Sequence, residues 1–501
     1  MAIRGTRSLS AKALGFLLAA AQARAALGAG LDEILRRGAI RWGGDQSGGA
    51  PYVYEGAGGR LTGFEYDLMD ALAGKLGVRS EFVQGQWDKL LQLIDRGDVD
   101  VVANGYEWSE EKERNWLSTV PYYVYRLQLL ARKGDPNLRS WEDLRKAPRK
   151  RVGVLIGSAA ERYLEERCAR DVDVRSYDGV TNAMTSVAQG QIDATLQDLP
   201  IAIHYASEFP ELVPVEEPVA PGYYAIFLAR GERALKDRLD RAILDALEDG
   251  TLRRIYEKYG LWNDDQLALG EAARGWPPVP GGAPGRPDAL RIGELLLRAA
   301  GTTIALSVLA MPLAIALGLL VATGRLYGPG WLQWPLELYV EFLRGTPVLL
   351  QLYVIYYVLP NAGVVIPAFW AGVLGLAINY SAYEAENYRA GFLAVPRGQM
   401  EAALSLGMTK RTALRRIIIP QAVRIVIPPV TNDFIALFKD TSVCSVITVV
   451  ELTGMYNRLS NNQPRLVLEL GLAAAALYLL MSYPLSLLVR RLERRLKGPG
   501  R

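Results

Sequence analysis

The sequence predicts a protein of two unlike parts: an α/β part with two lobes, followed by an all-α part with five membrane-spanning helices. Over residues 31–262, short runs of β-branched residues alternate with helical patterns, which is typical of α/β units. Beyond residue 290, five apolar stretches each reach the length of about 20 residues that a bilayer core requires. Residues 263–290 are rich in proline and glycine, and we expect them to form a linker between the two parts.

The first 25 residues have the features of a secretory signal peptide. Basic residues up to Lys12 precede a short apolar run at 13–21, and alternating alanines up to Ala25 offer A-x-A cleavage sites. The apolar run is shorter than the roughly 20 residues that a membrane-spanning helix needs. The alternative to a cleaved signal peptide is an uncleaved membrane anchor. The α/β part, residues 26–262, is therefore expected outside the cytoplasm.

Composition argues against several classes of function. The chain has one histidine and two cysteines that fall in different parts, so no zinc site of the usual kind and no other metal site is expected. The phosphate-binding pattern G-x-x-x-x-G-K-[ST] is absent, because Gly74-Lys75 is followed by Leu76. We therefore expect no cofactor in this chain, no catalytic residues, and no nucleic-acid partner.

The α/β part contains enough units for two lobes. Candidate strands are residues 99–103, 151–156, 172–176 and 191–196. Candidate helices are residues 64–76, 87–96, 158–170 and 232–248. Two extended apolar stretches, near 122–131 and 218–230, lie far apart in the chain and are expected to cross between the lobes as a two-stranded hinge.

Several motifs in this part resemble those of the extracytoplasmic solute-binding proteins for polar amino acids. The main motif is Gly63-Phe64-Glu65-Tyr66-Asp67-Leu68, and further matches lie at 87–88, 97–100, 117–123 and 249–252. Tyr66 departs from the aliphatic residue that is usual at its position. The resemblance covers nearly all of residues 26–262, and it implies the type II periplasmic-binding-protein fold, whose two lobes close on a ligand.

The resemblance also implies a ligand site. Asp198 stands where the family binds the α-ammonium group, and a charge-assisted hydrogen bond there contributes about 1.5–3 kcal/mol. Ser158 opens a helix whose free amides suit a carboxylate, and Ala159 stands beside it where many relatives have threonine. The remaining implied residues are a stacking aromatic and the turn after residue 103, namely Trp87, Asn104, Gly105 and Glu107.

The implied carboxylate clamp departs from the family's pattern. The family has an arginine three residues after a Thr or Ser, whereas here Ser109 leads to Lys112. Lysine is a point charge and cannot make the bidentate contact of a guanidinium group, so Arg114 is the alternative donor. Asp45 and Glu107 could meet a basic side chain, or they could cap turns and helices. We expect a polar amino acid or a related small polar solute as the ligand.

The apolar part, residues 291–501, contains predicted spans at 299–321, 338–359, 364–385, 425–449 and 467–489. An odd number of spans places the tail opposite the exported domain, and the arginine-rich tail agrees with a cytoplasmic location. We expect a multi-pass protein of the cytoplasmic (inner) membrane that contacts lipid. Five ionisable residues lie in or near the spans and are candidates for function or for structural pairing: Glu384, Glu386, Asp433, Lys439 and Asp440.

The segment at 395–420, named here the coupling loop, carries a distinctive spacing. Glu401-Ala402-Ala403 is followed by Gly407, six residues after the glutamate, and by Pro420. We expect a short helix, a break at the glycine, and a second helix that ends at the proline. An ordinary solvated amphipathic loop is the alternative.

The spacing of the coupling loop resembles that of the cytoplasmic loop of ABC-importer permeases, in their polar amino-acid branch. Further matches lie at 341–347, 382–386 and 439–442, and the resemblance covers residues 299–495. In that family the loop docks into a cleft on the ATPase. The chemistry suits docking, because the alanines permit close approach, the acid offers a charge and the glycine permits a sharp turn.

The two resemblances together imply an importer subunit that fuses a receptor with a permease. Uphill transport needs an energy source, so we expect a separate ATPase homodimer that uses ATP, and a permease homodimer that matches its two clefts. The alternatives are a ligand-gated channel and a transmembrane solute sensor. A channel of this kind usually carries a T-V-G-Y-G-type filter, and a sensor needs a cytoplasmic output domain; neither feature is found in the sequence.

Overall fold

The computed structural model describes residues 30–276, 289–462 and 466–496, apart from positions 48, 57 and 169. The chain divides into two compact units, with the division after Pro284. The predicted signal peptide, residues 1–25, and residues 277–288 of the predicted linker lie outside the described residues.

The first unit is an α/β structure. Its strands are β1 (Ala39–Gly44), β2 (Tyr54–Glu55), β3 (Leu61–Thr62), β4 (Arg79–Gln84), β5 (Val101–Val102), β6 (Leu117–Ser118), β7 (Tyr123–Arg132), β8 (Lys150–Leu155), β9 (Val172–Tyr177), β10 (Ala194–Asp198), β11 (Leu212–Pro214), β12 (Val219–Tyr224) and β13 (Phe227–Leu228). Its helices are α1 (Leu31–Arg37), α2 (Phe64–Leu76), α3 (Leu90–Arg96), α4 (Glu110–Asn115), α5 (Ala159–Arg167), α6 (Val180–Ala188), α7 (Leu199–Tyr205), α8 (Arg233–Glu248), α9 (Thr251–Lys258) and α10 (Leu269–Arg274).

Two main sheets form the two lobes. The first has the strand order β4-β1-β5-β13-β6, and the second has the order β11-β7-β10-β8-β9 with β12 paired to β7. The chain passes from the first sheet to the second between β6 and β7, and it returns between β12 and β13. Two crossings therefore connect the lobes, and β7 and β12 run antiparallel beside each other next to them.

The segment after α9 returns to the long strand β7. Gln266 is buried, and its side chain accepts a hydrogen bond from the Val124 amide (3.0 Å) and donates one to the Val124 carbonyl (2.7 Å). Arg126, also on β7, donates two hydrogen bonds of 2.7 Å to the Asp265 carboxylate. Residues 263–276 thus form a strap, held on the strand beside the lobe crossings.

Glu65, on the first turn of α2, is a fully buried acid. Its Oε1 atom accepts hydrogen bonds from the Gly105 amide (2.7 Å) and from the Tyr122 hydroxyl (2.5 Å). Burial raises the pKa of Glu65 from 4.5 to about 8, and these two hydrogen bonds only partly oppose the shift. The folded protein therefore holds this carboxyl group protonated at neutral pH.

Replacing Glu65 by glutamine should remove a pH dependence of stability. Between pH 4.5 and about 8 the folded state keeps a proton that the unfolded chain releases, so stability is greatest below this window and falls as pH rises through it. The limiting slope is about 1.4 kcal/mol per pH unit. Thermal unfolding of the full chain at pH 5 and pH 8 measures the difference. Equal pH dependences in the wild type and in Glu65→Gln would contradict the assignment, and the variant Glu33→Gln, at an exposed glutamate, is the control.

The second unit is helical. Its helices are α11 (Ala289–Tyr327), α12 (Gly330–Gly345), α13 (Val348–Tyr353), α14 (Ala368–Leu393), α15 (Arg397–Ser405), α16 (Lys410–Ala413), α17 (Ile419–Asp440), α18 (Leu452–Asn462) and α19 (Val467–Leu496). α11 and α14 pack along each other, and small residues lie at their contact, including Ala310, Ala314, Ala371 and Ala377.

Two of the described helices are long and apolar enough to cross a membrane, Ala289–Tyr327 and Val467–Leu487. A third span would be the pair Gly330–Gly345 and Val348–Ala362, which is bent by 108°. The prediction of one continuous span at 338–359 is therefore wrong. The reason is Pro347, which has no amide hydrogen and holds Thr346 in the extended conformation (φ −118°, ψ 144°).

The remaining two predicted spans, 364–385 and 425–449, coincide with α14 and α17 only in part. α17 starts at Ile419 and ends at Asp440, and the chain then turns through a 3₁₀ helix, so the predicted end at residue 449 is wrong. The Thr441 and Ser445 hydroxyl groups, which bond to main-chain carbonyls three residues earlier, accompany this tighter turn.

The prediction that the second helix of the coupling loop ends at Pro420 is also wrong. The chain forms a π-helical turn at Leu414–Ile418 and continues into α17, with Pro420 in its first turn. Proline is tolerated there because the wider turn removes the need for its missing amide hydrogen.

Candidate functional site

A cavity lies between the two lobes of the first unit, at the carboxyl ends of several strands. Asp45 follows β1, Trp87 follows β4, and Asn104 follows β5 in the first lobe. Ser158 follows β8 and Asp198 ends β10 in the second lobe. Ligand sites of α/β proteins form at this edge of a sheet, because the loops after adjacent strands converge there.

The structure brings most of the predicted ligand residues together in this cavity. Its lining includes Asp45, Trp87, Asn104, Gly105, Glu107, Ser158 and Asp198. Lys112 and Ala159 do not line it, although both contact the side chain of Glu107. Arg114, the alternative donor for a carboxylate, faces Glu110 at 3.9 Å instead and is not part of the lining.

Asp198 is buried and is held by the hydroxyl group of Tyr224. Tyr224 donates a hydrogen bond to its Oδ2 atom, and the hydroxyl groups of Tyr224 and Tyr52 lie 2.8 Å apart. Burial raises the pKa of Asp198 well above its usual range, and the nearby charge of Glu107 adds to the shift. A ligand cation would offset both effects, so the site favours positive charge beside this carboxyl group.

Glu107 occupies the donors that the sequence assigned to a ligand carboxylate. Its Oε1 atom accepts a hydrogen bond from the Ala159 amide at the start of α5 (2.8 Å), and its Oε2 atom lies 3.1 Å from Lys112 Nζ. Lys112 Nζ also donates to the Glu107 main-chain carbonyl (2.9 Å). Burial lowers the pKa of Lys112, and the charge of Glu107 opposes that effect.

Asp45 shapes a turn as well as lining the cavity. Its Oδ1 atom accepts hydrogen bonds from the Ser47 amide (2.8 Å) and from the Gln84 side chain (2.9 Å), and its Oδ2 atom accepts one from the Trp87 amide (3.0 Å). The Trp87 indole donates to the Asn104 carbonyl (2.8 Å). Of the two roles left open for Asp45, the turn-capping role is the one for which the structure supplies partners.

The structure adds lining residues that the sequence did not indicate. They are Ser47, Gly49, Tyr52, Leu155, Ala160, Asp178, Gly179, Val180, Gln197 and Ile201. Asp178 directly follows β9, so the rule that ligands bind at strand ends could have found it. Tyr52 and Tyr224 come from distant parts of the chain, and no local signal connects them to Asp198.

The coupling loop of the second unit exposes part of its predicted motif. Glu401, Ala402 and Gly407 are exposed, whereas Ala403 is buried. Gly407 has a φ of +79°, a conformation that favours glycine, and it ends α15. Leu406, which directly follows α15, is 83% exposed, so an apolar side chain and the acid Glu401 both contact solvent in the same short segment.

Three of the five ionisable candidates in or near the predicted spans have side-chain partners. Glu386 lies 3.1 Å from Arg325 and also pairs with Arg389. Tyr380 donates to Asp440 (2.6 Å), and Asn387 donates to Asp433 (2.8 Å). The last two acids line a second cavity, formed together with Arg344, Thr346, Asn379 and Tyr383. In the part of the chain that the structure describes, no three His, Cys, Asp or Glu residues are placed to hold a metal ion.

Two family models match the chain. Residues 40–261 match the bacterial extracellular solute-binding proteins, family 3. Residues 314–498 match the binding-protein-dependent transport system inner membrane component.

Named relatives and one solved structure are similar to parts of this chain. The L-cystine transport system permease protein TcyB of Bacillus subtilis is 39% identical over 39% of this chain and 83% of the relative. The glutamine transport system permease protein GlnP of Escherichia coli K12 is 36% identical over 44% of this chain and 95% of the relative. The structure of the ancestral amino acid-binding protein AncCDT-1 is similar over 46% of this chain and 98% of its own length, at 30% identity and a TM-score of 0.43.

Proposed function

Because this chain belongs to the binding-protein-dependent transport system inner membrane components and also carries a family 3 solute-binding domain, we propose that it is the combined receptor and permease of an ABC importer. It is a transporter subunit for polar amino acids or related small polar solutes, not an enzyme. The observation that carries the proposal is that one chain holds both an interlobe cavity with a buried acid, Asp198, and an exposed coupling loop.

The receptor step uses the cavity between the lobes. A ligand cation meets the Asp198 carboxyl group, which Tyr224 holds in place, and Trp87 offers an aromatic face at the same cavity. Closure of the lobes around the ligand removes water, which strengthens these charge-assisted contacts. The two crossings between the sheets are the places where the main chain can bend.

The coupling step uses the loop at 395–420. The ATPase is a separate chain, it forms a homodimer, and it uses the ATP; this chain holds no cofactor of its own. Exposed Leu406 and Glu401 suit a docking surface, since an apolar anchor beside a charge gives both affinity and orientation. A homodimer of this chain would present two such loops to the two ATPase clefts.

The membrane arrangement follows from the charge distribution of the sequence. The solute-binding domain lies outside, after export by the signal at residues 1–25, and the arginine-rich C-terminus and the coupling loop lie in the cytoplasm. The tether through residues 277–288 keeps each receptor at an effective concentration of roughly millimolar near its permease. A free pool of binding protein is then unnecessary.

Reconstituted uptake tests the proposal. The full chain is placed in liposomes with its ATPase, and accumulation of a radiolabelled solute is measured with and without ATP inside. The solute is chosen from a binding screen of the twenty amino acids, opines and polyamines. We expect uphill accumulation only with both ATP and the ATPase. Passive leakage without ATP would point to a channel, and uphill uptake without the ATPase would overturn the proposed partner.

Replacing Gly407 by valine should uncouple transport from ligand binding. A β-branched residue is strained at a φ of +79°, so the break between α15 and α16 should shift and the docking surface should deform. We expect uptake and ATPase stimulation to fall at least tenfold, with ligand affinity unchanged; Glu401→Lys should behave alike. The control is Gly398→Val on the same helix, where an added Cβ meets open space. Normal uptake by both Gly407→Val and Glu401→Lys would contradict the docking role.

A further inference from the structure

The cavity between the lobes is lined by acids from both lobes. Asp45 and Glu107 come from the first lobe, and Asp178 and Asp198 come from the second. The described lining residues include no lysine or arginine. Because four carboxyl groups and no lysine or arginine line the cavity, a bound anion would be repelled and a bound cation would be attracted.

Two donors of the implied carboxylate clamp, the Ala159 amide and the Lys112 ammonium group, are already engaged by the chain's own Glu107. Glu107 is 1% exposed, and it takes both the Ala159 amide (2.8 Å) and the Lys112 ammonium group (3.1 Å). Glu65 takes the Gly105 amide (2.7 Å). A ligand carboxylate that used the Ala159 and Lys112 donors would have to displace Glu107, which would leave a buried charge without its partners.

A second helix that starts at the cavity, α6, does not supply an alternative. α6 begins after Gly179, and Gly179 and Val180 line the cavity. Asp178 precedes them directly and also lines the cavity, so an anion at this helix terminus would face a carboxyl group.

A neutral donor remains available to the ligand. Asn104 is 1% exposed and lines the cavity, and its Nδ2 atom has no hydrogen-bond partner among the described residues. Its Oδ1 atom is engaged by the Asp45 amide, which fixes the orientation of the side chain. Nδ2 can be satisfied by a ligand oxygen that carries no charge, such as a carbonyl or a hydroxyl group.

We infer that the ligand is a cationic amine or guanidine without a free carboxylate, held by the interlobe acids while Glu107 fills the carboxylate position from within the chain. This inference rests on the proposed receptor function and specifies its solute. Glu107 thereby acts as a specificity determinant, since it excludes the group that all free α-amino acids share.

Matched ligand pairs test the inference on the full chain in detergent by isothermal titration calorimetry. Agmatine is arginine without its carboxylate, and putrescine is ornithine without its carboxylate. We expect each amine to bind at least tenfold more tightly than its amino acid. Argininamide, which keeps the size of arginine but carries a neutral carboxamide, should also bind at least tenfold more tightly than arginine, because its carbonyl can accept from Asn104.

The variant Glu107→Ser should reverse the preference. Its shorter side chain frees the Ala159 amide and the Lys112 ammonium group, so arginine affinity should rise at least tenfold and agmatine affinity should fall. Glu110→Ser is the matched control, because Glu110 lies nearby on α4 but outside the cavity lining.

The ligand affinities of the wild type alone can overturn the inference, even if Glu107→Ser fails to fold. If arginine or ornithine binds as tightly as the corresponding amine, the inferred ligand class is overturned while the receptor function stands. If no amine and no amino acid binds, the receptor function is overturned together with the inference.

Discussion

Replacing Asp198 by asparagine should lower the ligand affinity of the full chain by at least tenfold, and replacement by alanine should lower it further. Asparagine keeps the shape of the side chain but removes the charge that faces a ligand cation, and a charge-assisted hydrogen bond contributes about 1.5–3 kcal/mol. The Tyr224 hydroxyl, which also contacts the Tyr52 hydroxyl, can still donate to the amide oxygen, so the fold should persist. Calorimetry with the tightest ligand of the binding screen measures the loss.

The control for this prediction is Asp173→Asn. Asp173 lies on β9 of the same lobe, where it pairs with Arg175 (2.6 Å) and does not line the cavity. This variant should bind like the wild type. Unchanged affinity in Asp198→Asn, with an unchanged unfolding temperature, would remove Asp198 from the ligand site.

Replacing Gly318 by leucine should prevent the second unit from packing. Gly318 is buried where α11 meets α14, and a Cβ at this position would lie 2.6 Å from the Cβ of Glu384 and 2.9 Å from the Ser381 carbonyl oxygen. Both neighbours belong to α14, so relief requires the two helices to separate. Overpacking of a well-packed interior costs about 1–3 kcal/mol or more, and a contact with main-chain atoms places this change at the upper end.

The yield of monodisperse protein after detergent extraction and its unfolding temperature measure this effect. Gly301→Leu is the matched control, because Gly301 lies on the same helix, is exposed, and has no atom within 4 Å of an added Cβ. We expect near-normal behaviour for Gly301→Leu and a large loss for Gly318→Leu. Equal behaviour of the two variants would show that the helices can separate at little cost.

Local patterns in the sequence predicted the elements whose periodicity was strong. The helix predicted at 64–76 is observed at Phe64–Leu76, and the strand predicted at 172–176 is observed at Val172–Tyr177. The strand predicted at 191–196 begins three residues later, at Ala194. Asp193 accepts hydrogen bonds from the main chain and the side chain of Arg151. Residues 191–193 form a bend and do not pair with a neighbouring strand.

The features that the sequence could not predict depend on contacts between distant residues. The contact of Glu107 with Ala159 joins residues 52 positions apart on different lobes, and no local pattern encodes it. The bend after Gly345 depends on Pro347, a single proline inside an apolar stretch. Hydropathy alone predicts one continuous span across this stretch. The passage of a helix through Pro420 likewise depends on the wider turn before it, which propensities do not predict.

The strap formed by residues 263–276 fixes the place where the described part of the first unit ends. Gln266 and Asp265 hold it on β7, and Trp276 packs against Tyr223 of β12, so this end lies beside the lobe crossings. Main-chain segments near a hinge move less than the far edges of the lobes when the lobes close. We therefore expect Trp276 to shift little on closure, so that attachment to the rest of the chain adds little work to ligand binding.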